Sequence, residues 1–432
     1  MATPKKKTVS KKGAKSPKKV PTIYVQIASY RDPELIKTLN DCIKHAKNPE
    51  NLRFGIAWQH AKEDKWDKLT KYKNDKRFTI LDIDHREAKG VCHARKLLNE
   101  LYNGETYTLQ LDSHHRFVKD WDVQLIDMLE GLRKKGHKKP LLTSYIPDFF
   151  PETYSIETRN TIPWKMNFER FFPEGVVFVR PASIDDYQER TEPVPSRFLS
   201  AHFIFVDGKF CKEVPYDDRY YFHGEEPDLA VRAFMAGYDM FHPHRVLVWH
   251  EYTRNGKAKH WDDHQEWVEM NLESYKHYRN NFEQDSFVPK LGIAPVRTLK
   301  EYELYAGIDF ATRRVHKNTI EHLYPPSSLD EQSHQDGLLH YQKICLDIVK
   351  DQVTEEDYDV WAVALLDKDG NEIHREDATP TEIKNAKELD ENNPFMHLWR
   401  TFYSNKQAVG WVVWPHSISK GWMNRIEHKF SI

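Results

Sequence analysis

The tripeptide Asp112-Ser113-His114 follows an apolar segment, residues 107–111, and carries side chains suited to binding a cation. Residues two apart on a strand point to the same side, so this carboxylate and this imidazole can converge on one ion. One oxygen and one nitrogen ligand suit a borderline cation such as Mn²⁺, with Mg²⁺ as the alternative. Such a cation neutralises the charge that develops on a departing diphosphate. The competing interpretation is that Asp112 is a turn residue at the end of a strand.

A second polar group, residues 223–228 (His-Gly-Glu-Glu-Pro-Asp), places three carboxylates at the predicted start of a helix. The positive end of a helix dipole favours acidic residues, which accounts for Glu226 and Asp228 without any function. It accounts less well for Glu225 and for the glycine that precedes it. Glu225 is therefore the carboxylate of this group that helix chemistry explains least well.

Three histidines, His242, His244 and His250, flank the apolar segment 246–249, which predicts a strand. Each is either a metal ligand or a hydrogen-bonded residue, and only His250, at the strand end, is placed to join the tripeptide. The loop that follows, 251–263, contains one glycine and several basic residues, namely Gly256, Arg254, Lys257 and Lys259. This composition predicts either a mobile loop that closes over a diphosphate or a solvated charged surface.

Positioning these side chains requires a sheet whose strands end near one another. The alternation of apolar segments and helical patterns predicts an α/β fold with a mainly parallel sheet. In such sheets ligands bind beyond the carboxyl ends of the strands, where residues 29–31 and 112–114 lie. The glycine-rich dinucleotide motif and the P-loop motif are both missing from the sequence. The predicted strands are 23–28, 54–58, 78–83 and 107–111, and the predicted helices begin with Asp32 as N-cap and at about residue 89.

Two regions depart from this alternation. Residues 143–200 are rich in Pro, Phe, Tyr and Trp without a clear period, which predicts a binding loop or lid. From about residue 330 onward, a hairpin around the turn 367–370 and an aromatic strand at 408–414 predict a small β-rich appendage of unknown role. The predicted division is a tail (1–20), a main domain (21–325) and a β-rich domain (330–432).

Charge is unevenly distributed along the chain. The first 19 residues contain eight lysines and no acidic residue, whereas the remainder carries 56 basic and 66 acidic side chains. Residues 1–20 are predicted to be disordered. A nuclear address, a weak attraction to nucleic acid or anionic lipid, and no specific role all remain open for this tail. A basic tail on an acidic body does not predict a nucleic-acid-binding domain.

The remaining bulk features point to a cytoplasmic protein. No apolar run approaches about 18 residues, and no apolar stretch near the N-terminus predicts a secretory signal, so we expect no membrane span. The cysteines are widely spaced, which predicts reduced core residues rather than disulfides or a zinc knuckle. These are Cys42, Cys92, Cys211 and Cys345.

Taken in order, these segments resemble the GT-A superfamily of glycosyltransferases. More narrowly, the chain looks like the cytosolic N-acetylglucosaminyltransferases that modify hydroxyproline on a ubiquitin-ligase adaptor, which are related to the polypeptide N-acetylgalactosaminyltransferases. The resemblance spans about residues 22–254. The segments that carry it are 28–33 (ASYRDP), 86–95 (REAKGVCHAR), 112–114 (DSH), and 224–226 (GEE) followed by His250.

The resemblance implies a GT-A fold, a Rossmann-like nucleotide-diphospho-sugar transferase, and assigns roles by position. Asp112, His114 and His250 would hold Mn²⁺ or Mg²⁺. Glu225 and Glu226 would face the donor sugar and the acceptor hydroxyl and position them or assist as acid and base. The nucleotide-sugar pocket would be lined by Ala28, Tyr30, Arg31, Arg86, Gly90, Arg95, Ser113 and Arg254.

One position departs from the family pattern. The galactosaminyl relatives have an arginine three residues after the last ligand histidine, where this chain has Thr253, and Arg254 follows one position later.

The leading hypothesis is a retaining transferase that moves N-acetylglucosamine from UDP-GlcNAc to a protein hydroxyl of hydroxyproline, Ser or Thr, or to a glycan.

Two alternatives come from other classes. A glycan- or protein-binding module without turnover would use the aromatic segment 145–164 and the β-rich region, but binding alone gives no reason for all three metal ligands. A nucleic-acid protein driven by the basic tail would bind with a steep dependence on salt.

Overall fold

The structure is a computed structural model that describes residues 20–66, 68–153, 159–284, 287–388 and 393–430. The predicted Lys-rich tail lies outside the described residues up to residue 19. Across the described ranges, no helix is both long and apolar enough to cross a membrane.

A long sheet forms the centre of the N-terminal part. The strands of this part are β1 (Ile23–Tyr30), β2 (Leu52–His60), β3 (Phe78–Asp84), β4 (Tyr107–Asp112), β5 (His115–Phe117), β6 (Pro140–Thr143), β7 (Trp164–Phe171), β8 (Val177–Ser183), β9 (Val194–Pro195), β10 (Phe203–Asp207), β11 (Asp239–His242) and β12 (Val248–His250). In the long sheet their order is β3-β2-β1-β4-β10-β6-β11-β9. The first four are mutually parallel, and β10 is antiparallel to both of its neighbours. The order 3-2-1-4 is that of a Rossmann-like half-sheet, so the predicted α/β fold is confirmed.

Helices of the N-terminal part cover both faces of this sheet. The helices of the described residues are α1 (Leu35–His45), α2 (Thr70–Lys73), α3 (Val91–Glu100), α4 (Trp121–Lys134), α5 (Phe210–Glu213), α6 (Glu225–Met235), α7 (His260–Asp263), α8 (Trp267–Phe282), α9 (Leu299–Ala306), α10 (Lys317–Ile320), α11 (Glu331–Gly337) and α12 (Pro380–Glu388). The last three contact strands of the C-terminal part. Phe203 and Phe205 of β10 pack in one core with α1 and α4, whereas Ile204 and Val206 pack in another with α6. Because both faces are buried, the strands read in sequence as continuous apolar runs.

The first helix begins later than predicted. It starts at Leu35, and the residue in its N-cap position, Glu34, makes no side-chain capping bond. Asp32 accepts a hydrogen bond from the Glu34 backbone N–H at 2.9 Å, and its other carboxylate oxygen turns to His114. One carboxylate oxygen of Asp32 therefore binds the turn that precedes α1, and the other contacts His114 in the interior.

The region predicted as an irregular loop, residues 143–200, contains a hairpin. Strands β7 and β8 pair antiparallel from Trp164 opposite Ser183 to Phe171 opposite Val177. The register shifts between Phe168 and Arg170, so the buried positions of β7 do not alternate. This interruption removed the period of two by which a strand is recognised in sequence.

The C-terminal part is rich in β-structure, as predicted. Its strands are β13 (Ile308–Asp309), β14 (Arg314–His316), β15 (Leu338–Val349), β16 (Tyr358–Leu366), β17 (Glu372–Arg375), β18 (Phe395–Ser404), β19 (Gly410–Ser417), β20 (Gly421–Trp422) and β21 (Ile426–Lys429). One sheet has the order β13-β14-β15-β18, and another contains β17-β16-β19-β20 with β21 paired to β19. The predicted hairpin is β16–β17. Because β14 pairs with β15, the first sheet joins strands on both sides of residue 330, and the proposed domain boundary there stays a prediction.

The cysteines follow the prediction with one exception. All four are free, and Cys42, Cys92 and Cys211 are buried in the core. Cys345 on β15 is only partly buried, because its side chain projects from the opposite face of the strand to the core residues Leu346 and Ile348.

Candidate active site

A cavity of about 460 Å³ lies at the carboxyl ends of β1 and β4. The hairpin β7–β8, the start of α6 and the segment that follows β12 form its other walls. Sheets of this type bind their ligands beyond the carboxyl ends of parallel strands. The volume falls within the range of pockets that enclose small molecules. The cavity is therefore the candidate site for the predicted chemistry.

Strand pairing brings three of the predicted residues together on the cavity wall. Asp112 ends β4, and β12 pairs antiparallel with β5 so that His250 lies opposite His115, next to His114. Asp112 Oδ2 lies 3.8 Å from His114 Nε2 and 3.4 Å from His250 Nε2. The ligand atoms of these three side chains are all within 4.8 Å of one another.

Asp32 fixes the orientation of His114 from behind. The ring Nδ1 hydrogen-bonds to Asp32 Oδ2 at 2.7 Å, which leaves Nε2 facing Asp112. The Ser113 hydroxyl donates to the same oxygen at 2.6 Å. Burial alone would raise the pKa of Asp32, but the hydrogen bond and charge of His114, with Arg254 nearby, hold that pKa below its ordinary value. A carboxylate behind an imidazole is the usual arrangement that orients metal-binding histidines.

His250 is the residue that most needs a further partner. Both of its ring nitrogens are buried, and neither makes a hydrogen bond with any residue that the structure describes. Burial lowers the pKa of His250 to about 3, so the ring is neutral at pH 7 and offers a lone pair. Leaving a buried polar group without a partner costs about 1–3 kcal/mol. Two imidazoles and one carboxylate fit a cation such as Mn²⁺, which would relieve this cost.

Arg95 of α3 connects this cluster to α6. It donates from Nη2 to Asp112 Oδ1 and from Nη1 to Glu225 Oε1, both at 2.6 Å. The arginine side chain is 5% exposed. Because Arg95 binds Oδ1, the other oxygen of Asp112 remains directed at the two histidines. Removing Arg95 would leave two carboxylates without their counter-charge.

Glu226 occupies a different environment from its neighbour in sequence. Its Oε2 accepts a hydrogen bond from the Tyr145 hydroxyl at 2.7 Å, and its Oε1 accepts one from the Ala201 backbone N–H at 2.8 Å. Burial raises the pKa of Glu226 to about 7. Both protonation states are therefore populated near neutral pH, as acid–base assistance requires.

Most of the predicted site residues line the cavity. Those that do so are Ala28, Tyr30, Gly90, Arg95, Asp112, Ser113, His114, Glu225, Glu226, His250 and Arg254. Gly90 has a φ of 91°, and a Cβ built there would lie 3.0 Å from the ring of Tyr221. The absence of a side chain at residue 90 thus lets the start of α3 approach the cavity.

Two predicted residues do not line the cavity. Arg31 pairs with Asp64 at 2.9 Å and with Asp263 at 3.0 Å. The Arg86 side chain is 73% exposed and pairs with Asp84 at 2.5 Å. Both guanidinium groups therefore form ion pairs with carboxylates that do not line the cavity.

The loop 251–263 contacts the end of β1. The Tyr30 hydroxyl donates to Asp263 Oδ2 at 2.6 Å, next to the Arg31–Asp263 pair. Lys257 pairs with Glu251 instead of facing the cavity, whereas Lys259 and Arg254 line the cavity. Part of the predicted basic loop is thus in place to meet a diphosphate.

Sequence reasoning missed His202 and Tyr145. His202 stacks on His250, with ring centroids 4.4 Å apart and an angle of 21° between the rings, and burial lowers its pKa. Tyr145 holds Glu226. The only signal for His202 was a polar residue inside the apolar segment 201–206, and Tyr145 lies in the segment 143–200 that has no clear period.

Comparison with known proteins identifies the class. A family model described as Glycosyltransferase (GlcNAc) matches residues 22–79 and 67–312, which is well over half of the chain. No curated protein matches the chain significantly.

Several solved structures are loosely similar. GalNAc-T7, solved with UDP, GalNAc and Mn²⁺, is 14% identical over 70% of this chain and 56% of its own, with a TM-score of 0.42. S. aureus TarS is 10% identical over 95% of this chain and 77% of its own, with a TM-score of 0.37. Its segment 1–349 in complex with UDP-GlcNAc is 11% identical over 60% and 74%, with a TM-score of 0.35. The match thus spans little more than half the length of GalNAc-T7.

The family model covers the strands and helices that form the cavity, including all three residues of the Asp112, His114 and His250 cluster. The chain belongs to the Glycosyltransferase (GlcNAc) family.

Proposed function

We propose that this enzyme transfers N-acetylglucosamine from UDP-GlcNAc to a protein hydroxyl in a metal-dependent, retaining reaction. The observation that carries the proposal is the convergence of Asp112, His114 and His250 on one wall of the cavity. The segments 28–33, 86–95, 112–114 and 224–226 resemble those of the cytosolic transferases that act on hydroxyproline of a ubiquitin-ligase adaptor. Hydroxyproline is therefore the first acceptor to test, followed by Ser, Thr and glycans, and a cytoplasmic location goes with it.

Asp112, His114 and His250 would hold Mn²⁺, with Mg²⁺ as the alternative. The mixed nitrogen and oxygen donors favour Mn²⁺, because Mg²⁺ prefers a shell of oxygen ligands. When bound, the cation would neutralise charge on the diphosphate as it leaves.

The donor would bind along the edge formed by Ala28, Tyr30 and Gly90. Tyr30 lies at the end of β1, and the N-terminus of α3, where Gly90 and Val91 line the cavity, would direct backbone N–H groups toward an anion. Arg254 and Ser113 lie on the same wall and would contact the phosphates. Arg95 would act indirectly, because both ends of its guanidinium are already bound to carboxylates.

Glu225 and Glu226 would have different roles at the sugar. Glu225, held by Arg95, would position the donor sugar. Glu226, whose pKa burial raises to about 7, would exchange a proton with the acceptor hydroxyl. No side chain is assigned as a covalent nucleophile, and retention would follow from attack on the face that the diphosphate leaves.

The test is UDP release by the full chain from a panel of UDP-sugars, measured with Mn²⁺ and with EDTA. We expect release from UDP-GlcNAc in Mn²⁺ that EDTA abolishes, and faster release when a hydroxyproline peptide is added. Release from UDP-GalNAc alone would change the sugar but not the class. Silence across the panel, without thermal stabilisation by UDP and Mn²⁺, would favour the binding module without turnover.

A further inference from the structure

The sheet that contains β15 and β18 carries a second group of potential metal ligands, far in sequence from the residues that line the cavity. Cys345 and Asp347 lie two residues apart on β15, and His397 on β18 is paired directly opposite Asp347. Residues two apart on a strand share one face. The residues between and beyond them, Leu346 and Ile348, point into the hydrophobic core. The three polar side chains therefore project together from the outer face of the sheet.

The distances among their ligand atoms approach those of a tetrahedral zinc site. Cys345 Sγ lies 3.2 Å from Asp347 Oδ1 and 3.7 Å from His397 Nδ1. Asp347 Oδ1 and His397 Nδ1 are 2.7 Å apart. Bond lengths of about 2.0–2.3 Å around tetrahedral Zn²⁺ separate ligand atoms by about 3.3–3.6 Å. The carboxylate and the imidazole need to move apart by about 0.6 Å as the proton between them leaves, and the other two separations need to change by only about 0.1 Å.

We propose that Cys345, Asp347 and His397 form a Zn²⁺ site that cross-links β15 and β18. A thiolate in the ligand set selects Zn²⁺ over Mn²⁺ and Mg²⁺, which prefer oxygen. The site therefore takes a different metal from the cluster at Asp112. Binding releases the thiol proton of Cys345, because the thiolate is the ligand.

The group would supply two negative charges to a divalent cation, the Asp347 carboxylate and the Cys345 thiolate that forms on binding. The cation would satisfy both anions, and water would complete its shell.

Cys345 also differs from the other cysteines in access. Cys42, Cys92 and Cys211 are buried and sit apart from any comparable group of ligands among the residues described. Cys345 is the partly exposed thiol, so a metal can reach it from solvent. A thiolate signal from the folded protein would therefore report on this residue.

The probe is Co²⁺ added to the full chain, because a thiolate bound to Co²⁺ gives a charge-transfer band in the near ultraviolet. We expect added Co²⁺ to produce the band and added Zn²⁺ to remove it, with enough of each ion to fill the cavity cluster as well. Cys345→Ser should abolish the band, and His397→Ala should weaken Zn²⁺ binding by more than about 100-fold, since even second-shell changes cost 10–100-fold. Asp112→Asn is the matched control, and it should keep the band.

UDP release by Cys345→Ser should equal that of the wild type, which demonstrates that this variant folds. A wild-type chain that gives no band would overturn the proposal, as would a band that survives in Cys345→Ser. The second readout is the protection of Cys345 by Zn²⁺ against a thiol reagent. Labelling of Cys345 that is unchanged in Zn²⁺ would count against the site. Neither result depends on the transferase proposal.

Discussion

Two groups of three side chains bring metal-ligand atoms within 4.8 Å of one another in the described part of the chain, and they differ in burial and chemistry. Asp112, His114 and His250 line the cavity, and the side chains of the two histidines are 6% and 7% exposed. Asp347 and His397 lie on an open sheet face, with side chains 61% and 38% exposed. The first group offers nitrogen and oxygen donors, whereas the second adds the sulfur of Cys345.

The two groups also differ in what holds them. In the cavity, Asp32 orients His114, and His250 is left without a hydrogen bond among the described residues. In the C-terminal sheet, Asp347 and His397 satisfy each other directly. The comparison indicates that the buried group is preorganised for a ligand, and that the exposed group must exchange an internal hydrogen bond for a metal.

The largest effect on UDP release should come from removing a histidine of the group in the cavity. His250→Ala should lower UDP release from UDP-GlcNAc at least about 100-fold, because loss of a ligand should exceed the 10–100-fold cost of second-shell changes. His397→Ala is the matched control and should release UDP at the wild-type rate. Equal losses of UDP release in both variants would contradict the different roles assigned to the two groups.

A smaller effect should follow from changing Asp32, which lies behind the ligands. Asp32→Asn keeps the shape of the side chain but removes its charge, so the apparent Kd for Mn²⁺ should rise 10–100-fold. Saturating Mn²⁺ should restore most of the activity. Asp127→Asn, on the exposed side of α4, is the control. If Mn²⁺ dependence is the same in both variants, Asp32 does not orient a ligand.

Glu226 should make stability depend on pH. Its pKa is raised from 4.5 to about 7, so between these values the folded state binds more protons than the unfolded state. Wild-type stability from this group is present below about pH 4.5 and is lost as pH rises through about 7, by up to about 3 kcal/mol. Glu226→Gln should lack this contribution, so urea unfolding curves should show the variant gaining on the wild type from pH 5 to 7. Parallel pH profiles would contradict the assignment.

The smallest effect on UDP release is expected from a residue outside the cavity lining. Arg86 is exposed and pairs with Asp84 outside the cavity lining, so UDP release by Arg86→Ala should stay close to the wild-type rate. Arg95→Ala, inside the cavity, should abolish release. A large loss in Arg86→Ala would mean that this guanidinium reaches the donor once it binds.

Much of the fold and part of the candidate site could be predicted from the sequence. Buried parallel strands such as β1 and β4 are uninterrupted apolar runs, so their carboxyl ends could be located within two residues. Asp112 lies at one of these ends, which is why it stood out. His250 also ends a strand, although its approach to Asp112 depends on the pairing of β12 with β5.

The parts that sequence could not predict depend on long-range pairing. The hairpin β7–β8 was hidden by the register shift between Phe168 and Arg170. His202 reaches His250 only through the position of β10 beside β4. Cys345 and His397 are 52 residues apart in the chain and meet because β15 pairs with β18. Local patterns carry no information about such contacts.

The most direct test of the account compares Asp112→Asn with the exposed control Asp127→Asn in UDP release from UDP-GlcNAc as Mn²⁺ is titrated. Asn at residue 112 can still accept the hydrogen bond from Arg95, so the change chiefly removes the charge that would face the cation. The account predicts that Asp127→Asn follows the wild-type curve and that Asp112→Asn loses at least about 100-fold in activity, as loss of a metal ligand requires. Release by Asp112→Asn at the wild-type rate and with the wild-type Mn²⁺ dependence would contradict the central claim.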